Sequence, residues 1–201
     1  MKRIVWNHKR VFRIYRELEL NLRIKPRKRL VRDTPAALTV PGGINEAWSM
    51  DFMHNMLDDG RAFQLFNVLD DFNREALAIE IDFSLPSEHV IQALDQLIQW
   101  RAGPSAIRCD SSPENIRQTT MQWAEDRGIH IDFSQPGKSQ QNTYVDQFNR
   151  TLRYELLNRY HWASLAQVQG HTTAWMRSYN NDRPHMGLGG MTPKQRLAMV
   201  T

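Results

Sequence analysis

The apolar positions of this chain change period three times, and each change marks an element. From Asn7 to Leu20, Val11, Ile14, Tyr15 and Leu18 recur at three- and four-residue spacing, with Leu22 continuing the series beyond. That spacing predicts an amphipathic helix whose other faces carry Lys9, Arg10, Arg13 and Arg16. The period then stops in a segment of Pro and Gly, DTPAALTVPGGIN at 33–45. Three apolar runs without helical period follow: AWSMDFMHNM (47–56), FQLFNVLDD (63–71) and EALAIEID (75–82). Only LDDGR and DFNR separate them, so they predict an antiparallel meander. Asp70 and Asp71 read as hairpin residues.

Beyond residue 86 the periods alternate. SEHVIQALDQLIQWR (87–101) is a helix, with Ser87 as the expected N-cap and Gly103-Pro104 closing it. SAIRCD (105–110) is a short strand. The next helix has Ser112 as N-cap, Pro113 at its first position and Gly128 as terminator. IHIDFS (129–134) is a fifth strand, and after a polar loop a helix begins near Asn142. One more helix, 164–178, leads into a turn-rich tail. Trp100, Trp123 and Trp175 fall in helices and are expected in the core. The order β-β-β-α-β-α-β-α predicts an α/β fold, a mixed sheet with helices on its faces. In such sheets ligands collect at strand ends.

Charge divides the chain. Residues 1–32 hold twelve Lys/Arg against Glu17 and Glu19, while the remainder holds fourteen against twenty acids. An arm this basic suits a polyanion. One cysteine, Cys109, excludes an internal disulfide and a multi-thiolate zinc site, and fits a reducing cytoplasm. No apolar run reaches the length of a membrane span.

Three acids stand out by position. Asp51 interrupts an apolar strand, Asp110 closes the fourth strand, and Asp146 opens the late helix with Arg150 and Arg153 on its face. Singly, each has an ordinary explanation: a hydrogen-bonded strand acid, a turn or cap residue, a salt bridge to Arg150. Together they would make a hard-oxygen site suited to Mg²⁺ or Mn²⁺. Gly137-Lys138-Ser139 is no P-loop, because Asp132 stands where that motif needs glycine.

The motifs WSMDF, VLDDFNREALAIEI, RCD followed by PE, QPGKSQQNTYV-acid-QFNRTLR and YNNDRPHMGLGGMTP resemble a bacterial insertion-sequence transposase. The likeness is to the downstream-frame product of the two-frame family, whose catalytic core is similar to retroviral integrase, and it runs from about residue 6 to 198. Thirty-five residues separate Asp110 from Asp146, which matches that family's spacing. The resemblance implies a ribonuclease H-like fold, a five-stranded mixed sheet in the order 3-2-1-4-5. It implies catalytic and metal-binding acids at Asp51, Asp110 and position 146, holding two Mg²⁺ (or Mn²⁺). It implies hydrolysis of element ends and in-line attack of the freed 3′-hydroxyl on another phosphodiester. The expected partners are double-stranded DNA (element ends and target), further copies of this chain on that DNA, and the upstream-frame product; the expected place is the bacterial cytoplasm, at the nucleoid.

Expected DNA contacts are Lys138, Arg150 and Arg153, and Lys9, Arg10, Arg13, Lys25, Arg27, Lys28 and Arg29 of the arm. The expected organisation is a basic helical arm over 1–35, a catalytic core over 36–160 and a C-terminal helix and tail over 161–201. The chain departs from the family near the acids: Asp146 stands for Glu, Ser111-Ser112 for Asn-Gly, Gln147 for Arg and Ser139 for Pro. Two rivals to an active core follow, a DNA-binding remnant without chemistry and a ribonuclease H-like nuclease.

Overall fold

The computed structural model describes residues 7–18, 40–110, 114–133 and 142–200. The chain divides into two units, Met1–Thr34 and Pro35–Thr201. Of the first, helix α1 (His8–Glu17) is described. Asn7 caps it through a side-chain bond from the Lys9 amide, and no residue of it is buried. Its apolar positions Val11, Phe12, Ile14 and Tyr15 are all exposed.

The second unit is built on a five-stranded sheet in the order β3-β2-β1-β4-β5. Strands β1 (Ala47–Met56), β2 (Ala62–Asp70) and β3 (Ala76–Asp82) form the antiparallel meander. Strands β4 (Ala106–Cys109) and β5 (His130–Phe133) add in parallel, β4 against β1. Parallel neighbours need crossovers, supplied here by α2 (Ser87–Arg101) and α3 (Glu114–Asp126). Helix α4 (Thr143–Leu152) runs into a π-helical turn (Arg153–Leu157), and α5 (Leu165–Asn181) and α6 (Pro193–Ala198) follow.

Both faces of the sheet are covered, so the central strands are apolar on both sides. On one face Trp48, Met50, Phe66, Val68 and Ile107 pack with Val90, Leu94 and Leu97 of α2 and Trp123 of α3. On the other, Met53, Phe63, Leu65 and Leu69 pack with Phe148 and Leu152 of α4 and Val168 and Tyr179 of α5. Strand alternation sorts the residues. Ser49, Asp51 and Met53 share the α4 face, and so does Asn67 with Leu65 and Leu69. Each fully buried large side chain contributes roughly 1.5–3 kcal/mol, so this double layer holds the sheet rigid beneath α4.

Several expectations shift. Ser87 is the first residue of α2, not its cap; Pro86 occupies the cap, and the Ser87 hydroxyl bonds to Glu88 instead. Trp100 is 75% exposed, outside the face of α2 that Val90, Leu94 and Leu97 bury. The tail gains a helix: Thr192 and Gln195 form a capping box for α6, with Pro193 at its start. Asp70 and Asp71 do sit at the hairpin but are fully buried. Ser112 and Pro113 lie outside the described residues.

Candidate active site

Asp51 lies in mid-strand on β1, facing α4. The last pair of the β1–β4 ladder is Met50 with Cys109. Asp51 and Asp110 are the next residues on those two parallel strands, so the chain brings them side by side as β4 ends. Asp146 comes down from the first turn of α4.

Helix α4 is fixed to β1 by a polar stripe. Asn142, just before the helix, donates from Nδ2 to the Met50 carbonyl at 3.3 Å. Asn149 donates from Nδ2 to Asp51 Oδ2 at 2.7 Å. Arg153 Nη2 reaches the His54 carbonyl at 3.5 Å. Positions 142, 146, 149 and 153 recur at helical spacing, so Asp146 projects from the stripe that meets β1. Behind it, Asn67 Nδ2 donates to Asn149 Oδ1 at 2.7 Å. Asn67 is paired directly opposite Asp51 in the β1–β2 ladder. An amide relay, Asn67 to Asn149 to Asp51, therefore orients the first acid.

The electrostatics show how close the acids come. Burial pushes the Asp51 carboxyl up to about 6, and the charges of Asp146 and Asp110 push the same way, against hydrogen bonds from the Phe52 backbone and Asn149. Asp146 is raised as well, first by desolvation of its carboxylate and then by the charge of Asp110. Among the described residues Asp146 makes no salt bridge to Arg150. Nor do three or more His, Cys, Asp or Glu side chains form a ready-made metal cage among them. The donor set still fits a hard divalent cation. It is all carboxylate oxygen, and the burial and like charges that raise Asp51 are what such an ion would offset.

A family profile for the Integrase core domain matches residues 43–139, and a second with the same description matches residues 127–193. The chain is 36% identical over 192 residues to the uncharacterized 31.7 kDa protein of insertion element IS407 from Burkholderia multivorans, covering 96% of this chain and 69% of that one. It belongs to the insertion-element transposases with an integrase-like core. It is also 34% identical to the 39.2 kDa protein of insertion element IS476 from Xanthomonas euvesicatoria, again over 96% of this chain but 56% of that one. Among solved structures, the transposase core resembles a chain of the simian T-cell lymphotropic virus intasome, with TM-score 0.67, 16% identity and coverage of 82% and 58%. It also resembles the HTLV-2 integrase catalytic core domain, with TM-score 0.56, 18% identity and coverage of 75% and 95%. These likenesses carry the fold, and they agree with the ribonuclease H-like sheet order the sequence implied.

The basic residues of the chain divide by place. Arg150 is exposed on α4, and Arg153 lies along the end of β1. On α1, Lys9, Arg10 and Arg13 are exposed, with Arg13 3.7 Å from Glu17. Lys25, Arg27, Lys28, Arg29 and Lys138 lie outside the described residues, as do Ser111, Ser112 and Ser139. Sequence reasoning missed Asn67, Asn142 and Asn149. Asn67 carried a signal: it is a polar residue in an inward row that otherwise reads Phe63, Leu65, Leu69. Asn149 carried another, one turn beyond Asp146. Asn142 has no signal outside the fold.

Proposed function

We propose that this chain carries out metal-dependent cleavage and joining of DNA ends, with Asp51, Asp110 and Asp146 as its catalytic acids. The observation that supports this best is the placement of Asp51 and Asp110 just beyond the last pair of the β1–β4 ladder, with α4, which carries Asp146, bonded across them through Asn142 and Asn149. In this reading water attacks the phosphodiester at an element end and the strand leaves with a 3′-hydroxyl. That hydroxyl then attacks a second phosphodiester in line, its proton is released, and the displaced oxygen takes one up. Divalent cations, two by analogy with such reactions, would neutralise charge on the attacking and leaving oxygens. One structural relative, the HTLV-2 core, was solved in complex with magnesium. Asp51 would be the fixed ligand, because Asn149 and Asn67 hold its carboxylate in one orientation. Asp110 and Asp146, both exposed, would close on the ions from strand end and helix.

Arg150, Arg153 and the arm would hold DNA phosphates. Joining two ends requires more than one copy, so the working form is a DNA-bound oligomer in the bacterial cytoplasm, at the nucleoid. The upstream-frame product is a further expected partner. Among the described residues no helix is long and apolar enough to cross a membrane.

The test is nicking and strand transfer on labelled double-stranded element ends, in Mg²⁺ and in Mn²⁺, with the native chain, Asp51→Asn and Asp146→Glu. Activity in the native chain that Asp51→Asn removes supports a working triad. Activity in Asp146→Glu alone identifies the shorter side chain as the lesion. DNA binding without chemistry in either supports the remnant.

A further inference from the structure

A second surface of α4 has no part in this chemistry. There, Tyr144, Gln147 and Thr151 wall a cavity of about 200 Å³ together with Arg74, Arg183 and His185. A cavity of about 250 Å³ shares Arg74 and Gly187 with it and ends at Phe72 and Arg196. The two make one trough, with three arginines along it.

Arg74 is placed there at a backbone cost. The β2–β3 hairpin is closed by bonds from the Arg74 amide to the Asp70 carbonyl and from the Asp70 amide to the Glu75 carbonyl, both 2.9 Å. Arg74 itself has φ 61°, a conformation that suits glycine. Its guanidinium stacks 3.0 Å from the Tyr144 ring centre and donates to the Asp71 carbonyl. Arg196 stacks 4.9 Å over Phe72. Among the described residues neither arginine forms a salt bridge. Arg183 is paired with Glu155. Arg74 already bonds the Asp71 carbonyl and Tyr144, and the remaining in-plane N–H donors of a guanidinium stacked on a ring stay available to an oxyanion, the geometry in which arginine grips phosphate.

The trough connects to the acids around α4. One residue is about 100° of helix, so Gln147 sits that far round from Asp146, and Arg150 falls between them. All three are exposed. A strand engaged at Asp146 therefore passes Arg150 and Gln147 before it meets Arg74. We propose that this trough binds the DNA backbone flanking the reacting phosphodiester, with Arg74, Arg183 and Arg196 as phosphate contacts. The surface rests on the transposase function proposed above.

The test uses the full chain and a fluorescent duplex of roughly 30 base pairs, with affinity followed against salt. Each phosphate contact contributes a slope of about 0.9 in log affinity against log salt. Arg74→Gly removes the side chain at a position where glycine is at ease, and Arg196→Ala removes a surface stack. Each is expected to weaken binding by about three- to tenfold and to lower the slope by about one contact. Arg61→Ala, at the opposite end of β2, serves as control and is expected to change neither. A photo-crosslinking residue at Met186, 92% exposed on the trough rim, is expected to capture the duplex.

If the parent binds and nicks DNA while both variants keep its affinity and slope and Met186 captures nothing, the trough is overturned and the transposase function stands. If the parent binds no DNA, both fall. If Arg74→Gly unfolds the chain, Arg196→Ala and the crosslink decide.

Discussion

Two groups of three acids lie beside β1, one at the β2–β3 hairpin and one around Asp51, and they are handled in opposite ways. Asp70, Asp71 and Glu75 are almost wholly buried, yet each is answered. Asp71 accepts from the Ser49 hydroxyl at 2.5 Å and from Arg108 at 2.8 Å. Glu75 is held by Arg101 at 2.7 Å and Lys194 at 2.5 Å, and Asp70 by the amides of Asn45 and Phe72. Asp51, Asp110 and Asp146 are less buried, and Asp51 is met by the Phe52 backbone and the Asn149 amide while Asp146 and Asp110 add like charge. The first group ties the hairpin to β4, α2 and α6. In the proposed function, the second keeps negative charge in place for a metal and DNA brought from outside. Burial alone does not mark a functional acid, since the most buried carboxylates here are tied into the fold.

The largest effects should separate the two groups. Asp51→Asn is expected to lower strand-transfer rates by at least about a thousandfold, about 4 kcal/mol of barrier, with the melting temperature unchanged or raised. Asp71→Ala should do the reverse. It removes the carboxylate that the half-buried Arg108 and the Ser49 hydroxyl both bond to, at about 3–5 kcal/mol of stability, which denaturant melting reads directly. If Asp71→Ala melts like the parent, the hairpin group is not structural and the contrast fails.

A smaller effect concerns pH. Asp51 titrates near 3.8 in the unfolded chain and near 6 in the fold. Between those values the folded chain holds the extra proton. The contribution of Asp51 to stability is therefore full below about pH 4 and is lost as pH rises through 6, up to about 3 kcal/mol. Without metal, the melting temperature is expected to fall over that window, and Asp51→Asn to flatten the fall. At pH 7.5 a divalent cation should restore stability in the parent and not in Asp51→Asn. Glu75 should show the opposite sign. Burial alone would raise its carboxyl, but Lys194 and Arg101 pull it below the ordinary range, so its contribution is lost on acidification.

The smallest effect tests the amide relay. Asn67→Ala frees Asn149 and loosens Asp51, and is expected to slow catalysis about tenfold, about 1.4 kcal/mol, with DNA affinity held. A loss of affinity instead would make Asn67 a packing residue only.

The sequence by itself determined the meander, the parallel strands and their crossover helices, because strand and helix periods and turn residues are local properties of the chain. It also determined three acids worth suspecting, since Asp51 breaks an apolar run and Asp110 and Asp146 sit at element ends. Trp100 misled, because being apolar and helical does not put a residue on the buried face that Val90, Leu94 and Leu97 share. Asp70 and Asp71 sit at the hairpin as their turn pattern implied, but their burial was not legible, because Arg108, the partner of Asp71, and Arg101 and Lys194, the partners of Glu75, lie far off in sequence. Only the tertiary structure decided that Asp51 faces α4, that Asn67 and Asn149 orient it, and that Arg74, Arg183 and Arg196 line one trough. Each depends on which distant element packs on which face of the sheet, and no local pattern of residues fixes that.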